Sequence, residues 1–243
     1  MMSEKIVFRA TNKYFHDLCP RPYPASDNIP EWWRDQTPYT KNGENPDGKK
    51  IIIRNRSSNA TFKKCTPMLD GLTSGYILPL WTDVYVSKED SDELPKINWK
   101  VDCGNVFELH STTSLDMETP LGYYERAFKY VNHWHIKTPP GYSVLITSPF
   151  GYPNLPFKPL TAIIDTDKSI HEIALPVWVQ EDFEGVVEKG TPMAQVIPFK
   201  RNNWKSEFDF YGDEELSMLM NREVKSTIAH NYIRNHWTKK TYK

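Results

Sequence analysis

The chain has 243 residues, and 30 lysines and arginines stand against 31 aspartates and glutamates, giving a formal net charge of -1. This balance excludes a global field that would select nucleic acid or an acidic membrane surface. The 19 prolines, 8 tryptophans and 13 tyrosines, with only 39% hydrophobic residues, indicate a core built from large rings and rigid turns.

The first residues and the cysteines bear on the compartment. The opening MMSEKIVFRATNK is charged and lacks the apolar region of a signal peptide, and no run reaches the ~18 apolar residues of a spanning helix. Cys19, Cys65 and Cys103 share no CxxC spacing, as is typical of thiols kept reduced. We therefore expect a cytoplasmic protein that has no membrane partner.

Residues 1–60 are predicted to form an extended, aromatic and proline-rich arm. A short strand is expected at 6–8, and the prolines in 19–24 exclude a helix there. Trp32 and Trp33, adjacent in the sequence IPEWW, are large apolar groups with which an irregular segment attaches to a surface. Docking within the chain is the commoner use of such rings, and both are also interface candidates.

Residues 61–205 are predicted to form a β domain. Thr66 and Pro67 favour a short helix over 67–74, and the strand-like run 76–86 contains Pro79, which indicates an edge or a bulge. Further strands are expected at 97–101, 106–110, 128–136, 142–147, 173–179 and 193–199, from their alternating apolar residues and intervening turns. Such a series of short strands predicts a mainly β fold, a small barrel or a sandwich.

Residues 206–243 are predicted to form a helix and a tail, unlike the β domain before them. Apolar residues recur at intervals of three and four from Leu216 through Met220 to Tyr232, which predicts an amphipathic helix beginning at Asp213 and followed by a basic tail. The helix would pack on the β domain or on a neighbouring subunit. Leu216 and Met220 are therefore further interface candidates.

Residues 141–201 resemble the β-clip fold of the trimeric dUTP pyrophosphatases and their dCTP deaminase relatives. The family hairpin Gly-Val-Ile-Asp-x-Asp-Tyr-x-Gly is matched by residues 162–170, and Asp165 stands where the family has its water-activating base. Gln195 ends a match to the family strand Gly-Asp-Arg-Ile-Ala-Gln, and Ser148 stands in its Arg-Ser-Gly motif. The resemblance implies a β-clip-like fold. For a dUTPase-like enzyme it implies Asp165 as the catalytic residue, with Ser148, Asp165 and Gln195 binding the nucleotide.

Departures from that pattern argue against catalysis. The tyrosine of the hairpin is replaced by Lys168, both of its glycines are larger residues, and Pro149 follows Ser148 where a backbone N–H is required. The arginine that would meet a triphosphate is missing from the motif. We therefore expect a non-catalytic protein without a cofactor, and the nucleotide enzyme is the alternative.

The full chain is similar to an uncharacterised family of tailed phages and bacteria in three signature segments: IPEWW, TPPGYS and GTPMAQVIPFKR. This similarity by itself indicates no function. β-clip domains similar to residues 141–201 also form trimeric capsid-stabilising proteins of phages, and this resemblance implies a structural or assembly protein of the virion, such as a capsid decoration, vertex or neck protein. Its expected partners are further copies of itself and other virion proteins, without nucleic acid. Its expected locations are the host cytoplasm and the assembled particle.

A second alternative is a cupin-like metal-dependent enzyme. His133 and His135 have the i, i+2 spacing that places two imidazoles on one strand face, and Asp165, His171 or Glu172 would supply a third ligand. Paired histidines on a strand are more often half-exposed neighbours than ligands.

Overall fold

The computed structural model describes residues 4–38, 61–88, 94–101, 104–111, 117–169, 173–224 and 232–243. Contacts between residues divide the chain into two units. The β unit comprises Met1–Asp27, Gly75–Arg201 and Tyr242–Lys243, and the helical unit comprises Asn28–Ser74 and Asn202–Thr241.

The β unit contains every strand in the described residues. They are β1 Val7–Ala10, β2 Tyr23–Pro24, β3 Tyr76–Pro79, β4 Val84–Ser87, β5 Lys96–Trp99, β6 Phe107–Leu109, β7 Phe128–Val131, β8 Trp134–Lys137, β9 Tyr142–Thr147, β10 Phe157–Pro159, β11 Ala162–Ile164, β12 Ala174–Val179, β13 Gly185–Val187 and β14 Pro192–Lys200.

Within the described part of the chain, these strands form four antiparallel sheets. The strand orders are β11-β9-β14-β3-β2, β10-β12-β7-β6, β13-β4-β5 and β1-β8. Every sheet contributes to one hydrophobic core, which includes Leu78, Val86, Tyr130, Ile136 and Ile146. None of the sheets closes into a barrel in this part of the chain. The prediction of a mainly β fold is confirmed, and its architecture is that of open, packed sheets, as in a sandwich.

The predicted strand 128–136 is two strands, because the chain changes sheets in its middle. β7 ends at Val131 and β8 begins at Trp134 in a different sheet. Between them the amide of Asn132 donates to the carbonyl of Trp134 at 2.7 Å and accepts from its N–H at 3.3 Å. Local bonds of this kind replace the ladder of a continuing strand.

The N-terminal residues belong to the β unit. β1 pairs with β8, and Phe8, Phe15 and Leu18 pack against the core. Helix α1, Lys13–Leu18, was not predicted; its N-cap Asn12 accepts the N–H of Phe15 at 2.9 Å.

The helical unit contains α2 Glu31–Asp35, α3 Thr66–Thr73, α4 Asp213–Val224 and a π-helical turn Tyr232–His236. The irregular course predicted around Trp32 and Trp33 is wrong, since both lie in α2, which begins directly after Pro30. The short helix predicted over 67–74 matches α3 to within one residue at each end. The described part of the predicted C-terminal helix is α4, and 225–231 lie outside the described residues, as do residues 39–60 of the predicted arm.

The C-terminal tail is tied to α3 within the helical unit. The indole N–H of Trp237 donates to both carboxylate oxygens of Asp70, at 3.1 and 3.0 Å, and the ammonium of Lys240 pairs with the same carboxylate at 2.5 Å. No helix among the described residues is both long and apolar enough to cross a membrane.

One close backbone approach yields a stability prediction. Gly75 precedes β3 with φ +72°, and a Cβ there would lie 2.0 Å from the carbonyl oxygen of Val196 in β14. Gly190 has φ +93° and has nothing within 4 Å of its Cβ position, so it is the matched control. We expect Gly190→Ala to cost about 1–2 kcal/mol of unfolding free energy, from the left-handed conformation alone.

Gly75→Ala pays the same conformational cost and must in addition displace backbone, so we expect a further cost of about 1–3 kcal/mol. Urea titration followed by tryptophan fluorescence measures both variants. Equal losses for the two would contradict the close approach.

Candidate functional site

The acidic corner, which we define as Asp165 and Asp167 with Ser143 and Arg201, lies where three neighbouring strands begin or end. β11 and β14 flank β9, with Ile164 opposite Val144 and Lys200 opposite Tyr142. Asp165 therefore follows β11 beside Ser143, while Arg201 follows β14 beside Gly141, whose carbonyl accepts the Arg201 N–H at 2.9 Å. Strand pairing thus brings the side chains of Asp165 and Arg201 together, although they are far apart in sequence.

The Arg201 guanidinium holds both carboxylates. It forms a bidentate pair with Asp167, in which its Nη1 lies 2.9 Å from Oδ1 and its Nη2 donates to Oδ2. The same Nη1 lies 3.1 Å from Oδ1 of Asp165 and donates to the carbonyl of Tyr142 at 3.0 Å. Bidentate pairing fixes both orientation and charge. We call this set of contacts the Arg201 clamp.

Asp167 is the buried member of the corner. Its side chain is 6% exposed, and its Oδ2 also accepts the Gly141 N–H at 2.8 Å. The hydrogen bonds from Arg201, followed by that from Gly141 and the nearby positive charges, hold the pKa of Asp167 well below its usual range against the opposing effect of burial. The carboxylate is therefore ionised and fully partnered at neutral pH.

Asp165 is more accessible, with 50% of its side chain exposed. The hydroxyl of Ser143 donates to its Oδ1 at 2.6 Å. This bond, with a smaller contribution from the charge of Arg201, lowers the pKa of Asp165. A general base works best with a pKa near the operating pH, so a carboxylate stabilised in its ionised form is a weak base.

The other two residues of the dUTPase-like alternative lie away from the acidic corner. Gln195 is opposite Thr147 in the register of β14 and β9, whereas Asp165 lies beside Ser143 at the other end of β9. Ser148 follows β9 at the Gln195 end. Five residues of strand separate Ser148 from Ser143, about 17 Å. Gln195 is 1% exposed, and its side-chain oxygen accepts the N–H of Phe150 at 2.9 Å. A single copy does not bring these three predicted residues together.

The two histidines of the metal alternative are not two positions of one strand. His133 lies in the break between β7 and β8, is 8% exposed, and stacks on Phe15 with ring centroids 3.4 Å apart. His135 lies in β8 opposite Arg9. His171 and Glu172 fall outside the described residues. Among those described, no group of three or more His, Cys, Asp or Glu is placed to hold a metal ion.

The predicted interface residues differ in how much of their surface is exposed to solvent. Trp33 is 3% exposed, and Lys63 donates to its carbonyl and lies over its ring at 5.8 Å from the centroid, so its ring is not available as a surface in this chain. Trp32 and Leu216 are 44% and 43% exposed. The side chain of Met220 lies outside the described residues.

The sequence analysis missed an exposed run, which we call the aromatic segment, residues 202–211. Trp204, Phe208 and Phe210 are 86%, 95% and 87% exposed. They alternate with polar residues from 204 to 210 in the sequence WKSEFDF, so one face of an extended chain is aromatic while the other carries Glu207 and Asp209. The structure assigns the segment to no strand or helix. Its period of two was the signal from which it could have been found.

No protein-family model matches this chain, and no curated protein matches it. The two resemblances drawn from the sequence therefore stay predictions.

The Arg201 clamp predicts an acid-dependent loss of stability. A carboxylate whose pKa is lowered on folding contributes stability above the ordinary value of about 3.9, and this contribution is lost as the pH falls below it. Arg201→Met leaves Asp167 without its main partner, so we expect a lower urea midpoint at pH 7. The gap to the unsubstituted protein should shrink as the pH falls below about 4, because Asp167 is then protonated in the unfolded chain.

The matched control is Lys200→Met, which removes the neighbouring, exposed cation and should leave the urea midpoint nearly unchanged. Midpoints measured from pH 7 to pH 2 test both variants. A gap between Arg201→Met and the unsubstituted protein that stays constant over this range would contradict the role of the clamp.

Proposed function

We propose that this protein is a non-catalytic structural subunit of an assembly, and specifically a component of a phage particle. The single observation that carries the proposal is the exposure of the aromatic segment. Trp204, Phe208 and Phe210 each leave more than four-fifths of their surface in water, as fractions of 86%, 95% and 87%. A subunit that is covered by a neighbour in its working state accounts for rings presented in this way.

The size of this surface supports the proposal. Each large aromatic side chain buries about 150–250 Å² when it is covered, so three of them offer roughly 400–700 Å². The largest apolar patch on a typical monomer is about 300–600 Å². A stable interface buries about 800 Å² on each partner. The three rings alone would thus supply half or more of one side of an interface.

The acidic corner supports the non-catalytic part of the proposal. Arg201 is engaged by two carboxylates, the carbonyl of Tyr142 and the hydroxyl of Ser143, so its terminal nitrogens already have acceptors within the corner. A site that transfers a phosphoryl group requires cations that are free to meet developing negative charge. The clamp instead surrounds its one cation with two carboxylates, so the corner keeps a net negative charge that repels a phosphate group and suits a structural joint between strand ends.

The choice of a phage particle rests on two resemblances. The three signature segments are similar to a family of tailed phages and some bacteria, and residues 141–201 resemble β-clip domains that also serve as capsid-stabilising proteins of phages. We expect purified particles to contain the protein at a fixed copy number by quantitative mass spectrometry. Detection in the lysate alone, with none in the particle, would reject this part of the proposal.

Replacing the rings tests the assembly role directly. The triple variant Trp204→Ser, Phe208→Ser, Phe210→Ser removes the apolar face and should lower the mass of the assembly in light scattering toward that of one chain. Circular dichroism should still show a folded, mainly β protein, because the segment forms no strand or helix within its own copy.

The control changes exposed apolar residues elsewhere. Leu121, Phe62 and Met117 are 101%, 66% and 56% exposed, and their replacement by serine should leave the mass unaltered. An unaltered mass in the aromatic triple variant, or an equal loss in the control, would count against the segment as the interface.

A further inference from the structure

The β unit carries a groove with the chemistry to receive the aromatic segment. It has a volume of about 520 Å³ and is lined by all four residues of β1 together with Asn12, Lys13 and His16. In the described residues β1 pairs with one strand, β8, so its second edge is unpaired there, and all four of its residues line this groove. An unpaired strand edge is a template for an added strand.

The direction of the β1 backbone groups can be read from its ladder. The N–H of Thr11 donates to the carbonyl of His133 at 3.0 Å, in register with Arg9 opposite His135. Backbone groups alternate along an antiparallel strand, so the groups of Val7 and Arg9 point to β8. Those of Phe8 and Ala10 point to the groove.

The two faces of β1 match the two faces of the aromatic segment. Phe8 and Ala10 are half-buried against the core, whereas Arg9 is exposed on the opposite face. A strand added here in register continues both faces across the new pair. It would lay Phe208 and Phe210 beside the apolar face and Glu207 and Asp209 beside Arg9.

The groove and the aromatic segment also carry opposite charges. Arg9 and Lys13 are cations at the groove, and the aromatic segment carries Glu207 and Asp209 against one lysine. Lys13 pairs with Asp17 at 2.6 Å, but with side-chain exposures of 88% and 55% this pair is weak enough to exchange. Opposite charges steer an encounter and fix its register.

Other edge strands of the described sheets are less suited to accept the aromatic segment. β13 is flanked by Glu184 and Glu188, which would repel the acids of the segment, and β10 ends at Pro159, which cannot donate to a ladder. The edge strand β11 carries an exposed Ile163 and serves as the comparison edge.

We propose that the aromatic segment of one copy adds as a strand to the free edge of β1 in a second copy. This inference rests on the proposed function and names the contact that builds the assembly. Each copy then offers one segment and one edge, so the contact joins two different surfaces of the chain and is heterologous.

The first test blocks the edge in the full-length protein. Ala10→Pro removes an N–H that points to the groove and leaves the β1–β8 ladder bonds in place. We expect it to weaken self-association about tenfold or more in sedimentation velocity, as follows from the loss of main-chain hydrogen bonds and of a fitted apolar face. Ile163→Lys, which places a charge on the edge strand β11, should have no effect.

The second test swaps charges and does not rely on a proline. Arg9→Glu with Lys13→Glu should weaken association, as should Glu207→Lys with Asp209→Lys. The variant that carries all four changes should regain association, because opposite charges again face each other. This recovery is an outcome that misfolding cannot produce.

The third test identifies the chain that supplies the segment. Ala10→Cys with Ser206→Cys, oxidised after tagged and untagged copies are mixed, should give disulfide-linked products that contain both forms. A link confined to single chains would overturn the assignment to a second copy. Association that withstands Ala10→Pro and both charge pairs but is lost with Ile163→Lys would overturn the choice of β1 and leave the structural role standing. A protein that stays monomeric and is absent from particles would reject both.

Discussion

The pairing of Arg201 with two carboxylates is the contact on which the organisation of this chain depends. It joins the end of β14 to the residues that follow β11, across the start of β9. Arg201 is also the last residue of the main part of the β unit, since Asn202 begins the second part of the helical unit. The same guanidinium therefore pairs with the two acids of the segment that resembled a catalytic hairpin. It also holds in place the residue after which the aromatic segment begins.

Strand content could be predicted from this sequence because alternation and turn residues are local signals. The edge or bulge expected at Pro79 is an example: Pro79 lies opposite Pro192, Leu78 lies opposite Ala194, and the extra residue of β14 between these pairs shifts the register, as in a bulge. Sheet membership could not be predicted in the same way. The chain leaves one sheet for another at Asn132, whose side chain bonds to the backbone of Trp134, and nothing in the alternation of 128–136 separates this case from a continuous strand.

For a related reason, the sequence predicted the two carboxylates of the candidate site but not the arginine that pairs with them. Asp165 and Asp167 were visible as a motif at the end of an apolar run, but their partner is more than thirty residues away and is brought to them by the pairing of β14 with β9. From the sequence alone, a basic residue at the end of a strand, such as Arg201, is expected to be exposed to solvent. Only the strand register places it beside the two carboxylates. The aromatic segment was overlooked for the opposite reason. Its period of two is plain in the sequence, but a strand pattern without an assigned partner is easily set aside as part of a linker.

Heterologous strand addition also explains how such a contact would keep one register. Because successive residues of a strand face opposite sides, a slip by one position would bring Glu207 and Asp209 against Phe8 and Ala10, and the aromatic rings against Arg9. Charged groups would then lose water without gaining a partner, which is costly. Registers shifted by two keep the faces but lose some of the pairs with Arg9. The alternation of acids and rings thus selects a register as well as a partner, and a contact repeated in one register from copy to copy gives an assembly of defined geometry.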